Sequence, residues 1–99
     1  MEIKEGKKLI MEDGEHLIKD FIVLHNPFTL EPTVCLVTED GIRLSCDKFV
    51  TKDGECIADV AQELINPFNF ERRLAIRTKE GKVYQQEEII AVETNTIVV

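Results

Sequence analysis

Two pairs of adjacent carboxylates are the residues of this sequence with the clearest chemical potential. Glu12-Asp13 and Glu39-Asp40 each place two acids side by side. Paired carboxylates can serve in the hydrolysis of glycosidic bonds or bind hard cations. Both pairs stand directly before a glycine, a combination typical of hairpin turns. We therefore interpret these acids as turn residues that offer negative charge to a basic partner, and we predict no catalytic residue among them.

Two histidines, His16 and His25, could act in acid–base chemistry or bind a metal ion, since imidazole titrates near neutral pH. Neither has a second ligand at a usable spacing. We expect ordinary histidines at or near the surface, without a metal site or a cofactor.

Three cysteines, Cys35, Cys46 and Cys56, make an odd number and lack the spacing of metal ligands. An odd count without a disulfide framework is typical of a reducing, intracellular setting. We expect small core or surface residues, and a cytoplasmic protein.

The tripeptide Asn-Pro-Phe occurs twice, at Asn26-Pro27-Phe28 and at Asn66-Pro67-Phe68. Asn-Pro turns the chain, because the residue before proline avoids the α region. The same tripeptide is the short peptide that endocytic EH-type modules read, a role that requires an exposed turn. We favour the other interpretation, in which Phe28 and Phe68 close the end of a barrel. If the loops prove exposed, both become candidate partner contacts.

The two tripeptides belong to a longer repeat. Residues 11–50 aligned with 51–90 without a gap share ten identities at an offset of 40 residues. Two copies are too few for a solenoid, so we interpret them as an internal duplication within one compact unit.

Composition limits the possible functions. The 99 residues suit one domain or two very small ones, and a hydrophobic content of 43% can supply a core. Twelve basic and nineteen acidic residues give a net charge of −7, which argues against direct nucleic-acid binding. The sequence has neither the apolar run of a membrane span nor a signal peptide at its start.

Acid-glycine turns divide the chain into hairpins. They are centred on 12–14, 39–41, 52–54 and 79–81, and Thr94-Asn95 stands in a fifth such place. With a three-residue loop, Thr38 faces Ile42 and Leu36 faces Leu44, so that the apolar residues share one face. A two-residue loop would make the repeats disagree about their core face. We therefore predict the longer loop throughout.

This register makes specific predictions at every turn. It pairs Leu9 with Leu17, Phe49 with Ile57, and Ile89 with Ile97. The strands predicted from it lie near 7–11, 15–25, 33–38, 42–46, 48–51, 55–64, 72–78, 82–86, 88–92 and 96–99.

The segment 57–65 has an ambiguous pattern. Its apolar residues are spaced as on a helix, whereas the matching segment 17–25 is rich in β-branched and aromatic residues. We favour strands in both segments and hence an all-β fold. The alternative is an α+β fold with short helices near 17–25 and 57–65.

The order of strands and turns resembles the small barrels of the SH3-like and Tudor group. The relevant stretches are KKLIMEDGEHLIKDFIVLHN and TVCLVTEDGIRLSCDKFV. The resemblance implies one barrel repeat in 1–50 and a second in 51–99, tightly fused. It does not extend to function, because the aromatic cage of Tudor domains and the aromatic groove of SH3 domains are missing.

We predict a non-enzymatic, acidic protein-interaction module whose partner is a protein with a basic surface. The alternatives are a phage- or plasmid-type inhibitor that mimics nucleic-acid charge, and a small subunit or regulator of a larger assembly. Exposed strand edges also predict a homo-oligomer. The candidate partner-binding residues are Glu12, Asp13, Asn26, Phe28, Glu39, Asp40, Asn66 and Phe68.

Overall fold

The computed structural model describes residues 1–94 and 97–98, with side chains described through Thr94. Its strands are β1 (Glu2–Lys4), β2 (Lys8–Met11), β3 (Gly14–His25), β4 (Pro32–Thr38), β5 (Arg43–Cys46), β6 (Lys48–Thr51), β7 (Gly54–Cys56), β8 (Val60–Ile65), β9 (Arg72–Arg77), β10 (Val83–Gln85), β11 (Ile89–Glu93) and β12 (Ile97–Val98). A 3₁₀ turn at Gln86–Glu88 separates β10 from β11.

The fold is all-β, as predicted. Strands hold 61% of the residues, which excludes the α+β alternative. Segment 17–25 lies within β3, and most of 57–65 forms β8. The helical spacing misled because Ala61 is buried in a strand while its neighbour Gln62 is exposed, the alternation that a pleated strand imposes. Among the described residues, no helix is long and apolar enough to cross a membrane.

Two antiparallel, curled sheets form a half-barrel. The larger has nine strands in the order β12-β5-β4-β3-β2-β1-β11-β6-β7, and the smaller has the order β10-β9-β8. The long strand β3 belongs to two hairpins, because its start pairs with β2 and the rest pairs with β4. Its counterparts at the 40-residue offset, β7 and β8, are separate strands in different sheets. The division of the chain at residue 50 stays a prediction.

The predicted register is confirmed at the two turns that follow β4 and β9. Leu36 pairs with Leu44, and Ile76 pairs with Tyr84. The Thr38 amide donates to the Ile42 carbonyl over 2.9 Å, which closes a three-residue loop. Gly41, with φ +92°, occupies the left-handed third position that such a loop requires.

The predicted register is wrong at the other two acid-glycine turns. Leu9 pairs with His16 and Phe49 pairs with Cys56, so these loops hold two residues. At the second turn the Thr51 hydroxyl accepts the Asp53 amide over 3.2 Å, a local bond that tightens the shorter loop. The consequence is that Leu17 and Ile57, expected in the core, are exposed.

The predicted hairpin between Ile89 and Ile97 is also wrong. Ile97 pairs with Leu44 of β5, so β12 extends the far edge of the large sheet. The side chain of Ile97 lies outside the described residues. The sequence reading also missed β1, which pairs with both β2 and β11 and buries Ile3.

Gln86 fixes the turn between β1 and β2. Its Nε2 donates to the Gly6 carbonyl, and its Oε1 accepts the Leu74 amide over 2.8 Å. Gly6 has φ +66°, and an added Cβ would lie 3.3 Å from the backbone of Gln86 and Glu87. This buried glutamine therefore holds the N-terminal strand against the second half of the chain.

The core is continuous across both halves. Leu9, Phe49 and Ile89, which are spaced by 40 residues, are all buried. They pack in one cluster with the apolar residues Ile3, Phe21, Val34, Leu36, Leu44, Cys46, Ala61, Leu74, Ile76, Tyr84 and Val92.

Candidate functional site: two matched loops and an acidic turn cluster

The two Asn-Pro-Phe segments form loops of the same shape. The first connects β3 to β4 after His25 pairs with Pro32, and the second connects β8 to β9 after Ile65 pairs with Arg72. In the first, the Asn26 amide donates to the Glu31 carbonyl over 2.9 Å, and the Leu30 amide donates to the Asn26 carbonyl over 2.8 Å. The second loop has the corresponding bonds at Asn66, Glu71 and Phe70, with the same distances.

The asparagine side chains hold both loops from within. Asn26 Oδ1 accepts the Phe28 amide over 2.9 Å, and Asn66 Oδ1 accepts the Phe68 amide over 2.9 Å. Such bonds are the reason asparagine favours turns, because its side chain replaces a backbone acceptor. The two asparagines are therefore structural residues of the loops, and their side-chain oxygens are already engaged.

The two phenylalanines face solvent. Phe28 is 93% exposed and Phe68 is 92% exposed. The expectation that they close a barrel end is wrong. The reason is the loop itself, because the asparagine bonds keep the loop backbone beyond the ends of the strands, where no core residue is within reach.

Sequence reasoning missed two further exposed apolar side chains in these loops. Leu30 is 72% exposed and Phe70 is 78% exposed. Both have positive φ values, +61° and +57°, a region that non-glycine residues rarely occupy. Backbone strain of this kind costs about 1–3 kcal/mol and is concentrated at functional sites. The signal that could have found these residues is their spacing, since both are large and apolar at the same place in the repeat.

The strands that carry the loops meet in the middle of the molecule. Glu63 of β8 accepts the Val23 amide of β3 over 3.0 Å, and Arg72 of β9 bonds Asp20 of β3 over 3.1 Å. Arg72 lies opposite Ile65, at the end of β8. Asp20, before Val23, is thus near the end of β8 beyond Glu63, so β3 and β8 run in opposite directions where they meet.

The acidic turns after β2 and β4 come together through His16. Its Nε2 lies 2.8 Å from Asp13 Oδ1, and its Nδ1 lies 2.7 Å from Asp40 Oδ2. The Thr38 hydroxyl donates to the other Asp40 oxygen over 2.5 Å. The structure thus brings two of the predicted partner-binding acids to one side chain, while Glu12 and Glu39 remain exposed beside them.

The charges of this cluster support one another. Hydrogen bonds to Asp13 and then to Asp40 raise the pKa of His16 above its ordinary value. The Thr38 hydroxyl and then His16 lower the pKa of Asp40. The sequence reading correctly expected His16 near the surface, but it missed this role, because Asp40 is 24 residues away in the chain.

The corresponding turn in the second half is built differently. Asp53 accepts the Tyr84 hydroxyl over 2.8 Å and lies 3.5 Å from Lys82 Nζ. These contacts, with Tyr84 the larger, lower the pKa of Asp53. Cys56 occupies the place of His16, and a depression of about 400 Å³ lies between Cys56, Ile57, Lys79 and Glu80.

All three cysteines are free thiols. Burial raises the pKa of Cys46 to about 12, which keeps this thiol protonated and unreactive at neutral pH. Within the part of the chain that the structure describes, no group of three histidine, cysteine or acidic side chains is arranged to hold a metal ion. The cytoplasmic setting stays a prediction.

Comparisons with known proteins assign no family. No family model, no curated protein and no solved structure matches this chain.

Proposed function

We propose that this chain is a non-enzymatic protein-interaction module that binds its partner through the two Asn-Pro-Phe loops. The observation that carries the proposal is the matched exposure of Phe28 and Phe68, at 93% and 92%. Folding explains the asparagine and the proline of each loop, since both shape the turn. It does not explain the phenylalanine, whose side chain contributes nothing to the core.

The partner has an apolar pocket for a phenylalanine ring. Aromatic side chains are enriched among the residues that dominate binding energy at protein interfaces. Leu30 and Phe70 enlarge the apolar contact on each loop, and Glu31 and Glu71 follow directly in the sequence. These acids and the net charge of −7 favour a partner with basic residues around that pocket.

We also propose that the architecture consists of two SH3-like repeats. The equal registers at Leu36 with Leu44 and at Ile76 with Tyr84 support this, as do the matched loops. A crystal structure tests the idea by superposition of residues 11–50 on 51–90. Backbones that diverge outside the break between β7 and β8 would overturn it.

Charge mimicry of nucleic acid is the second hypothesis, but a specific observation favours the loops. Several acids are close to bases, as in Lys48–Glu55 at 3.7 Å, Lys52–Glu88 at 3.5 Å and Arg72–Asp20 at 3.1 Å. Mimicry requires a row of acids free to replace phosphates. A role as a subunit or regulator of a larger assembly is compatible with loop-mediated binding.

The experiment compares tagged wild-type protein with the double variant Phe28→Ala/Phe68→Ala in quantitative affinity purification from the native host. The matched control is Leu17→Ala/Ile57→Ala, which removes two exposed apolar side chains outside the loops, also at a 40-residue spacing. We expect specific partners to be lost from the loop variant and retained by the control. Thermal unfolding of the loop variant should match wild type, because exposed substitutions usually change stability by less than about 0.5 kcal/mol.

Salt distinguishes the two hypotheses in the same purification. At about 1 M salt the Debye length falls to about 3 Å, which abolishes binding by charge mimicry but leaves apolar contacts in place. Partners that persist in high salt and depend on Phe28 and Phe68 support the proposal. Retention of every specific partner by the loop variant would contradict it.

A further inference from the structure

His16 connects two turns that are distant in the chain. It lies on β3, one residue after Glu15, and its side chain is only 12% exposed. Asp13 belongs to the turn between β2 and β3, and Asp40 belongs to the turn between β4 and β5. Each ring nitrogen faces a different carboxylate, at 2.8 Å and 2.7 Å.

This geometry specifies the protonation state of the ring. A neutral imidazole has one N–H and one lone pair, so it can donate to only one carboxylate. The second nitrogen would then direct its lone pair at carboxylate oxygen, which is repulsive at hydrogen-bond distance. Only the imidazolium donates to both, and charge-assisted bonds of this kind are the stronger ones.

The surroundings of the ring contain no competing cation contact. Leu9 of β2 lies opposite His16, and the neighbours Glu15 and Leu17 alternate to the other face of β3. From the turn after β4, Thr38 holds Asp40 in place by its hydroxyl. Asp13 and Asp40 are thus the charged groups that face the ring, with Glu12 and Glu39 next to them in the turns.

We propose that His16 is a proton-dependent latch, which holds the β2–β3 and β4–β5 turns together while it is charged and releases them when it loses its proton. Release leaves the carboxylates of Asp13 and Asp40 without their cation. The negative charge at these turns then becomes available to a basic partner. This latch is independent of the Asn-Pro-Phe loops.

The second half of the chain shows the same place without a latch. Cys56 replaces His16 there and cannot bridge two carboxylates, and Asp53 turns to Tyr84 instead. The space between β7 and the turn after β9 is an open depression of about 400 Å³. In the first half, by contrast, the Glu39 amide donates to the Leu17 carbonyl over 2.9 Å across the same junction.

The direction of the pH dependence follows from the pKa of each group. The folded state raises the pKa of His16 above 6.5, so the latch is fully stabilising below pH 6.5 and is lost as pH rises through the raised value. The folded state lowers the pKa of Asp40 below 3.8, so its contribution is present above pH 3.8 and is lost as pH falls through the lowered value. The latch is therefore closed at mildly acidic pH and opens on the alkaline side.

The first test is an NMR titration of the His16 ring in wild type, Asp13→Asn, Asp40→Asn and Glu12→Gln. We expect the His16 midpoint to lie above 6.5 in wild type and to fall in both aspartate variants. Glu12→Gln removes an exposed acid from the same turn without touching the ring, so its midpoint should match wild type. A wild-type midpoint at or below 6.5, or equal midpoints in all four proteins, would overturn the proposal.

The second test measures hydrogen exchange at the Glu39 amide, which spans the latched turns. After correction for intrinsic exchange, its protection should fall as pH rises through the His16 midpoint, by at most about tenfold per pH unit for release of one proton. In His16→Gln the corrected protection should not change with pH, and Asp13→Asn serves the same purpose if that variant folds poorly. Protection that is independent of pH in wild type would exclude a latch.

Discussion

The two halves of this chain share turns and registers but differ at the junction between their hairpins. In the first half β3 runs without interruption from Gly14 to His25, and His16 connects the neighbouring turns. In the second half the equivalent stretch is divided into β7 and β8, and the two segments belong to different sheets. Related sequences can therefore build either a closed or an open junction, depending on a few side chains.

The end of the last hairpin strand differs as well. β5 continues to Cys46, which pairs with Val34 through the backbone. β10 stops at Gln85, and the side chain of Gln86 supplies the acceptor for the Leu74 amide. The second half thus uses a side chain where the first uses a strand, and this frees the chain to enter the 3₁₀ turn before β11.

Core truncation tests whether both halves contribute equally to one core and should have the largest effect. Leu36 and Ile76 occupy equivalent registers and are both buried. We expect Leu36→Ala and Ile76→Ala each to lower the free energy of unfolding by about 2–5 kcal/mol, through lost burial and the cavity left behind. Urea denaturation measures this, with the exposed-site variant Ile57→Ala as the control. A loss below about 1 kcal/mol at Ile76 would mean that the small sheet is not part of the common core.

Removal of the Gln86 amide should have an intermediate effect. Gln86→Leu leaves the Leu74 amide and the Gly6 carbonyl without partners, and an unsatisfied buried group costs about 1–3 kcal/mol. Hydrogen exchange should show faster opening of the turn between β1 and β2. Cys46→Ala, the matching change in the first half, should leave that turn unaffected. Equal exchange at the Lys7 amide in wild type and Gln86→Leu would contradict this account.

Loss of the loop asparagines should have the smallest effect and tests the match between the loops. Asn26→Ala and Asn66→Ala each remove the acceptor of a phenylalanine amide, and the net contribution of such a bond is about 0.5–1.5 kcal/mol. The Asn26 oxygen also accepts the Thr29 amide over 3.3 Å, so Asn26→Ala should cost slightly more. Thermal unfolding at matched pH compares the two. A clearly larger loss at Asn66 would show that the loops are not equivalent.

Much of the fold could be predicted because it depends on neighbouring residues. The strands around the turn at 39–41 followed from alternation and from the glycine that ends the loop. The candidate acids and loops were also visible as motifs. The environment of each motif was not, because Asp40 reaches His16 and Arg72 reaches Asp20 over separations of 24 and 52 residues.

The sequence by itself determined the all-β class, the position of nearly every strand and the recurrence of the Asn-Pro-Phe loops, because side-chain alternation and turn residues act over a few positions. Only the tertiary structure decided the two-residue loops at β2–β3 and β6–β7, the pairing of β12 with β5, and the outward orientation of Phe28 and Phe68. A strand can pair with any open edge, and a loop residue is buried only if another segment covers it. Both outcomes depend on contacts between segments that are distant in the chain.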